Sequence, residues 1–311
     1  MTKIFDQKVI IDGALGTELE KLIDPTASYL PSKSPLWSGQ VLIDAPQLIE
    51  KVHQNYIESG ANLLITSTYQ LSYGSLKKHT KLNDKEITEL WQNSINVAEE
   101  AKSKAKKHSD LDKIFIAGSM GPYAAYLANG SEYTGDYGEV KDEELRNFHE
   151  PMIDFFYNND KVDLILFETI PNFQELRVVN EIMQKYPNKD YVLSITCQTN
   201  DKLTDGTPLS KIKEYLDNNY KSKILGINCV DYILVDKIIS HFPAYKFYIY
   251  PNLGFEYDSK IHQFKPKDHG SDITWEKFIK NLHKNNNVIG IGGCCNTGPE
   301  EINQIYEIYH S

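Results

Sequence analysis

Val288-Ile289-Gly290-Ile291-Gly292-Gly293-Cys294-Cys295-Asn296-Thr297 is the last apolar run of the chain and the turn that follows it. The run rises to two glycines and ends in two adjacent thiols. Thr297 and Glu300, three residues apart, predict a capping box at the start of a closing helix. Neighbouring side chains on a strand face opposite ways. Two adjacent cysteines therefore share a target only where the backbone bends, and Gly292 and Gly293 are expected to supply conformations closed to other residues. A third cysteine ends a similar run, Ile224-Leu225-Gly226-Ile227-Asn228-Cys229. Three thiolates meeting from two strand ends would make a zinc site with one open position.

The same grammar of apolar run, polar end and helical pattern repeats outward from this stretch. The runs are Val9 to Asp12, Asn62 to Tyr69, Ile114 to Gly118, Val162 to Thr169, Tyr191 to Cys197, Ile224 to Cys229, Phe247 to Asn252 and Val288 to Gly293. Helical patterns lie between them. Asp44 reads as the cap of a helix burying Ile49, Val52 and Tyr56, and Asn172 with Glu175 opens one burying Leu176, Val179 and Met183. The runs are apolar throughout instead of alternating, as strands covered on both faces must be. Eight such units in 311 residues predict an α/β fold, a single (β/α)8 TIM barrel over residues 1–311. A doubly wound open sheet is the rival, because strand count alone does not close a barrel. Neither G-x-G-x-x-G nor a Walker A sequence is present, so nucleotide-binding versions of that rival lack support. The segment from Ser119 to Asp142, rich in tyrosine and glycine, and about twenty residues after Asn252 read as long loops of the kind that form lids.

Composition narrows the function. Hydrophobic residues make up 41% of the chain and charged residues 24%, and the net charge is -10. That balance argues against a nucleic-acid partner, which needs basic stripes, and suits small cationic ligands. No apolar run approaches the ~18 residues of a membrane span, and the N-terminus lacks a signal-peptide core. Four cysteines without an export signal point to free or metal-bound thiols and a cytoplasmic protein.

Barrel chemistry sits at the C-terminal rim. The strand ends there carry Asp12, Thr68, Tyr69, Ser119, Glu168, Cys197, Cys229, Asn252, Cys294 and Cys295. The ordinary alternative for each polar one is a helix cap. Cys197 reads as a small buried apolar side chain; were it to join the other three, the site would be a closed structural one. None of the nine histidines lies in H-x-H or H-E-x-x-H. A thiol redox protein using Cys294 and Cys295 is a further alternative, weakened by the strain of a disulfide between neighbours and by the lack of C-x-x-C.

Asp12-Gly-Ala-Leu-Gly-Thr17, Gly226-Ile-Asn-Cys229 and Gly292-Gly-Cys-Cys295 resemble the signature of the homocysteine S-methyltransferase family. Pro35-Leu-Trp-Ser38, Gly118-Ser-Met-Gly-Pro-Tyr123, Asn129-Gly-Ser-Glu-Tyr-Thr-Gly-Asp-Tyr137, Asp205-Gly-Thr-Pro208 and Tyr250-Pro-Asn252 resemble its S-methylmethionine-dependent branch. The likeness runs from about residue 9 to 307. It implies a (β/α)8 barrel and Zn2+ held by Cys229, Cys294 and Cys295, with no family ligand at Cys197. It places Glu168 at the homocysteine ammonium and Tyr69 near the metal, and beside them Asp12 and Gly13 read as residues that help hold the amino-acid end. L-homocysteine is the implied acceptor and a sulfonium, S-methylmethionine or S-adenosylmethionine, the implied donor. The loop from Tyr123 to Tyr137 is the candidate donor lid, because aromatic faces and carboxylates attract cations. Betaine as donor is the alternative. It is disfavoured because the sequence ends without the betaine enzymes' C-terminal arm, and a cobalamin or folate partner is disfavoured because no further domain follows. The resemblance fixes no oligomeric state.

The implied chemistry is coherent. A free thiol has a pKa of about 8.5, so homocysteine is mostly protonated at neutral pH and is then a poor nucleophile. Zinc removes that proton. Three thiolate ligands leave the ion weakly electrophilic, so the substrate sulfur stays electron-rich and can attack a methyl group in line.

Overall fold

The computed structural model describes residues 3–106, 108, 111, 113–258, 263–266 and 273–311. Eight strands form one sheet: β1 (Val9–Ile10), β2 (Leu63–Ile65), β3 (Phe115–Met120), β4 (Leu164–Ile170), β5 (Tyr191–Ile195), β6 (Ile224–Asp231), β7 (Lys246–Asn252) and β10 (Val288–Ile291). Two further strands, β8 (Phe255–Asp258) and β9 (Gln263–Pro266), make a separate antiparallel hairpin. The order in the large sheet is β1-β10-β7-β6-β5-β4-β3-β2, and every pair is parallel. Ile11 pairs in parallel with Leu63. Asn62 N donates to Ile10 O at 2.9 Å and Asp12 N to Leu63 O at 3.0 Å. These bonds join the first strand to the second and close the sheet into a (β/α)8 barrel, which settles the choice against an open doubly wound sheet.

The strands divide the core in two. Val9, Ile11, Leu63, Phe115, Ala117, Leu164, Leu166, Val192, Ile224, Tyr248 and Tyr250 form one buried cluster, the filling of the barrel. A larger cluster holds the opposite strand faces against the helices, through Ile165, Phe167, Leu193, Leu225, Ile227, Leu176, Val179, Ile212 and Leu216 among others. Side chains alternate with period two along a strand. Continuing the inward face past Ala117, Leu166, Val192 and Ile224 therefore reaches Ser119, Glu168, Ser194 and, after Gly226, Asn228. The barrel interior thus turns from apolar to polar as it rises to the C-terminal rim.

Several boundaries differ from expectation, each for a local reason. The closing helix runs Pro299–Tyr309. Proline suits the first helical position, so Gly298 becomes the cap, and its N–H donates to Glu301 Oε2 at 2.7 Å. The Thr297–Glu300 pairing is thereby displaced by one residue; Thr297 Oγ1 instead donates to Cys294 O at 2.6 Å. Pro46 likewise sets the start of the helix Pro46–Glu58, capped by Ala45. Asp44 is not its cap but ends a preceding short helix, Ser38–Asp44. The helix Phe173–Met183 begins as expected, with Asn172 Oδ1 accepting from Glu175 N at 3.1 Å. The segment from Ser119 to Asp142 contains the end of β3 and two short helices, Tyr123–Leu127 and Ser131–Thr134. After Asn252 the expected loop contains the β8–β9 hairpin; its residues 259–262 and 267–272 lie outside the described residues. Among the described residues no helix is long and apolar enough to cross a membrane.

Candidate active site

Two strand ends carry the three thiols. Cys229 sits within β6 where its pairing with β7 shifts register between Asn228 and Asp231. Its φ is 53°, a left-handed conformation uncommon for a residue with a side chain. That kink breaks the strict alternation and turns Cys229 toward the turn after β10. There, Cys294 N donates to Pro251 O at 2.8 Å and Thr297 N to Cys294 O at 3.0 Å, and Asn296 takes φ 66°. Gly292 and Gly293 do not have positive φ. Their requirement is steric instead: a Cβ on Gly293 would lie 2.1 Å from Thr297 Oγ1, and one on Gly292 2.5 Å from Ile11 O. The turn is thus packed tightly enough to bring both neighbouring cysteines to one place.

The result is a cluster in which the Cys229, Cys294 and Cys295 sulfurs all lie within 4.8 Å of one another. Cys229 Sγ is 3.9 Å from Cys295 Sγ, and Cys294 Sγ is 4.0 Å from it. These separations are far above a disulfide length. They match the ~3.8 Å edge of a tetrahedron with Zn–S bonds of ~2.3 Å, so the donor set and its spacing fit a zinc ion with one open position. Hydrogen bonds from Cys229 and then Cys294 hold the Cys295 thiol well below the usual thiol range, while the Cys229 and Cys294 thiols are held well above it. Cys197 is apart from it. That residue is buried, bridges to Leu203, and burial pushes its thiol up to about 12.

Glu168 and Asp12 bring carboxyl groups to the same rim. Ser119 Oγ donates to Glu168 Oε1. Ser119 is itself fixed by the end of the second strand: its N–H donates to Thr66 Oγ1 at 2.9 Å, and Thr68 Oγ1 donates to its carbonyl at 2.8 Å. Burial raises the Glu168 carboxyl to about 7, against the hydrogen bond from Ser119. Asp12 Oδ2 accepts from Ile65 N at 3.0 Å. Burial pushes Asp12 well above the ordinary carboxylate range, with the neighbouring Glu168 acting in the same direction. Among the described residues neither carboxyl is paired with a lysine or arginine, and two such buried groups would be eased by a ligand ammonium. Tyr250, buried beneath the rim, lies in the field of Glu168, Cys294 and Cys229, so the carboxyl group and the thiols stand near one residue.

Gly13 has no room for a side chain: a Cβ there would lie 2.8 Å from both Thr297 O and the Tyr56 hydroxyl. Ala14 N donates to Thr297 O at 3.0 Å, and Tyr56 Oη donates to Ala14 O at 3.0 Å. The Asp12–Ala14 segment is thereby stitched to the cysteine turn. Tyr69 Oη donates to Glu132 Oε1 at 2.8 Å, and Tyr69 lies in the field of Cys229. The short helix carrying Glu132 and Tyr133 therefore lies close to the thiols.

Three side chains of this region gave no sequence signal or only a weak one. His53 is 1% exposed, its Nδ1 is 3.7 Å from Asp12 Oδ2, and burial lowers its pKa to about 4, so it is neutral at pH 7. It lies on a helix flank, where nothing in the sequence separates it from a core residue. Glu175 was legible only as a helix opener. It is 0% exposed and accepts from Tyr123 N at 2.6 Å, from Tyr137 Oη and, at 2.8 Å, from His149 Nε2, so both ends of the tyrosine-rich segment converge on it. Asn228, between two motif residues, was passed over.

A parallel barrel with thiols and buried acids gathered at its C-terminal rim is a rim-site enzyme of the (β/α)8 class. A sequence model of the homocysteine S-methyltransferase family matches residues 9–309. The chain is 30% identical to Homocysteine S-methyltransferase YbgG of Bacillus subtilis, an alignment covering 96% of this chain and 93% of that protein. It is 31% identical to Homocysteine S-methyltransferase of Escherichia coli, covering 94% and 93%. The metallated form of the homocysteine methyltransferase MmuM from Escherichia coli superposes with a TM-score of 0.78 at 30% identity, over 97% of this chain and 96% of that one. The chain belongs to the homocysteine S-methyltransferase family and is a methyltransferase acting on homocysteine with a methyl donor.

Proposed function

We propose that the protein is a single catalytic barrel over residues 1–311 that transfers a methyl group from a sulfonium to the thiol of L-homocysteine, using Zn2+ held by Cys229, Cys294 and Cys295. The observation that carries this reading is the cluster of three sulfurs within 4.8 Å of one another. Zinc bound there would strip the substrate thiol of its proton and keep the sulfur electron-rich.

The remaining work falls to the chain's own groups. Glu168, fixed by Ser119, receives the substrate ammonium and ionises as it does so, since a cation beside a buried carboxyl favours its charged form. Asp12 helps to hold the same end, and Gly13 lets its own backbone N–H approach the substrate carboxylate without a side chain in the way. Tyr69 and Glu132 face the opposite side of the thiols and receive the cationic donor. A sulfonium has a neutral thioether as leaving group, so no general acid is required at that position. The tyrosine-rich segment excludes water from the sulfur that attacks. Four free cysteines accord with a cytoplasmic setting.

S-methylmethionine is preferred over S-adenosylmethionine in this reading. The donors are told apart by stoichiometry. S-methylmethionine and homocysteine give two methionines per turnover, whereas S-adenosylmethionine gives one methionine and one S-adenosylhomocysteine. The test incubates zinc-loaded protein with homocysteine and each donor separately and counts both products. Faster methionine formation from betaine or methyl-folate than from either sulfonium rejects the assignment.

A further inference from the structure

We propose that Asn228 is a positioning residue that locks the strand end carrying Cys229 to the strand end carrying Glu168, so that the sulfur-holding and ammonium-holding groups keep one fixed separation. The inference rests on the reading that Cys229 ligates the metal and Glu168 takes the homocysteine ammonium.

Asn228 is 1% exposed and uses both ends of its amide. Oδ1 accepts from Thr169 N at 2.8 Å and from Ser194 Oγ at 2.7 Å. Nδ2 donates to Thr169 Oγ1 at 2.8 Å. The backbone N–H of Thr169 can only donate, which fixes the orientation of the amide. Asn228 lies on β6 and Thr169 on β4, so this side chain spans β5, using Ser194 of that strand as the middle support.

Both tied positions are irregular. Thr169 has φ 56° and Cys229, next to Asn228, has φ 53°. The β4–β5 pairing shifts register between Phe167 and Ile170, and the β6–β7 pairing shifts between Asn228 and Asp231. At each shift the ladder bonds that would hold the backbone are missing. Thr169 N is one of the groups so released, and the Asn228 amide takes it up. The kink at Cys229 aims that thiol, and the kink at Thr169 directly follows Glu168, which the strand alternation points inward. One amide therefore replaces the ladder at one kink and, being anchored beside the other, couples the two. Groups that orient a metal ligand from behind govern metal affinity without touching the ion.

The test uses the zinc-loaded full-length protein and two variants. Asn228→Ala removes all three bonds. Thr169→Val is isosteric and removes the Oγ1 hydroxyl, which accepts from Asn228 Nδ2 and also partners Tyr69, so zinc release and the homocysteine KM are its readouts if the first variant fails to fold. Three readouts are taken: zinc release to a chelator, KM for homocysteine, and KM for the sulfonium donor. Zinc release about tenfold faster and a homocysteine KM about tenfold higher are expected for Asn228→Ala, with the donor KM unchanged. Thr169→Val should move the same two readouts by less. Unchanged zinc release and homocysteine KM in a folded Asn228→Ala, or in Thr169→Val where Asn228→Ala does not fold, overturn the proposal. An equal rise in both KM values in Asn228→Ala also overturns it, since general loosening of the barrel end does not discriminate. Failure of the underlying reading looks different: full zinc retention in Cys229→Ser removes the ligand assignment whatever the Asn228 variants do.

Discussion

Tyr69 Oη donates to Glu132 Oε1 at 2.8 Å across 63 positions of sequence. The bond ties the residue just past the second strand to a short helix, Ser131–Thr134, which stands between Gly130 at φ 88° and Gly135 at φ 66°. Burial raises the Glu132 carboxyl, and the nearby Cys295 pushes in the same direction while Tyr69 opposes it. Tyr133, the next residue, is 81% exposed yet lies in the field of all three thiols. An acid and an aromatic ring thus stand close to the thiols.

This arrangement predicts a selective effect on the donor. Glu132→Gln keeps an acceptor for Tyr69 but removes the charge. The KM for S-methylmethionine should rise about tenfold, the scale of one charge-assisted contact, while the KM for homocysteine changes less than about twofold. Steady-state kinetics with each substrate varied in turn checks this. An equal rise in both values would place Glu132 at the homocysteine end instead.

The proposed metal site predicts a contrast among the cysteines. Cys294→Ser should lose zinc and activity together, because one thiolate of three is removed from a site with no spare ligand. Cys197→Ser should keep both, since that side chain lies outside the cluster. Metal analysis of the purified variants decides the matter. Zinc loss in Cys197→Ser would mean a closed four-thiolate site with no room for substrate.

The strand runs, their burial on both faces and the three converging cysteines were legible because they depend on composition and on periods of two and 3.6 residues. Barrel closure was not, since the Ile11–Leu63 bridge joins positions with no shared pattern. Helix starts were misplaced at Asp44 and Thr297 because Pro46 and Pro299, fixing φ at the first helical position, outweighed nearby capping side chains. Glu168 and Asp12 were visible as acids closing apolar strands, but the Ser119 and Thr66 support of Glu168 required the sheet register. His53, Asn228 and the full role of Glu175 were hidden for the same reason. Each acts through partners tens of residues away, and a buried polar residue next to a motif looks no different in sequence from an exposed one.

Glu175 predicts a stability effect coupled to the donor side. Glu175→Ala leaves Tyr123 N, Tyr137 Oη and His149 Nε2 without their acceptor. The buried His149 Nε2 so orphaned costs about 1–3 kcal/mol and the two part-buried groups less, so a loss of roughly 2 kcal/mol or more is expected in urea unfolding. Because both ends of the tyrosine-rich segment lose their anchor, the donor KM should rise before the homocysteine KM does. A variant as stable as the parent would show that the segment is held by other contacts.

The buried carboxyl of Glu168 predicts a pH dependence of ligand binding. Its pKa in the ligand-free protein is raised to about 7 from an ordinary value near 4.5. The folded protein therefore holds this proton more tightly than the unfolded chain. The contribution to stability is full below about pH 4.5 and is lost as pH rises through about 7. Binding has the opposite sign, because a ligand ammonium requires the ionised carboxylate. Methionine is the better probe than homocysteine, since it carries the ammonium and carboxylate but no titrating thiol. Its affinity, measured by calorimetry, should strengthen about tenfold between pH 6 and pH 8, the change in ionised fraction of a group titrating near 7. Glu168→Gln, which cannot ionise, should bind more weakly at pH 8 and show a flat profile over the same range. A profile of unchanged steepness in Glu168→Gln would move the ammonium to Asp12, whose carboxyl is also raised by burial.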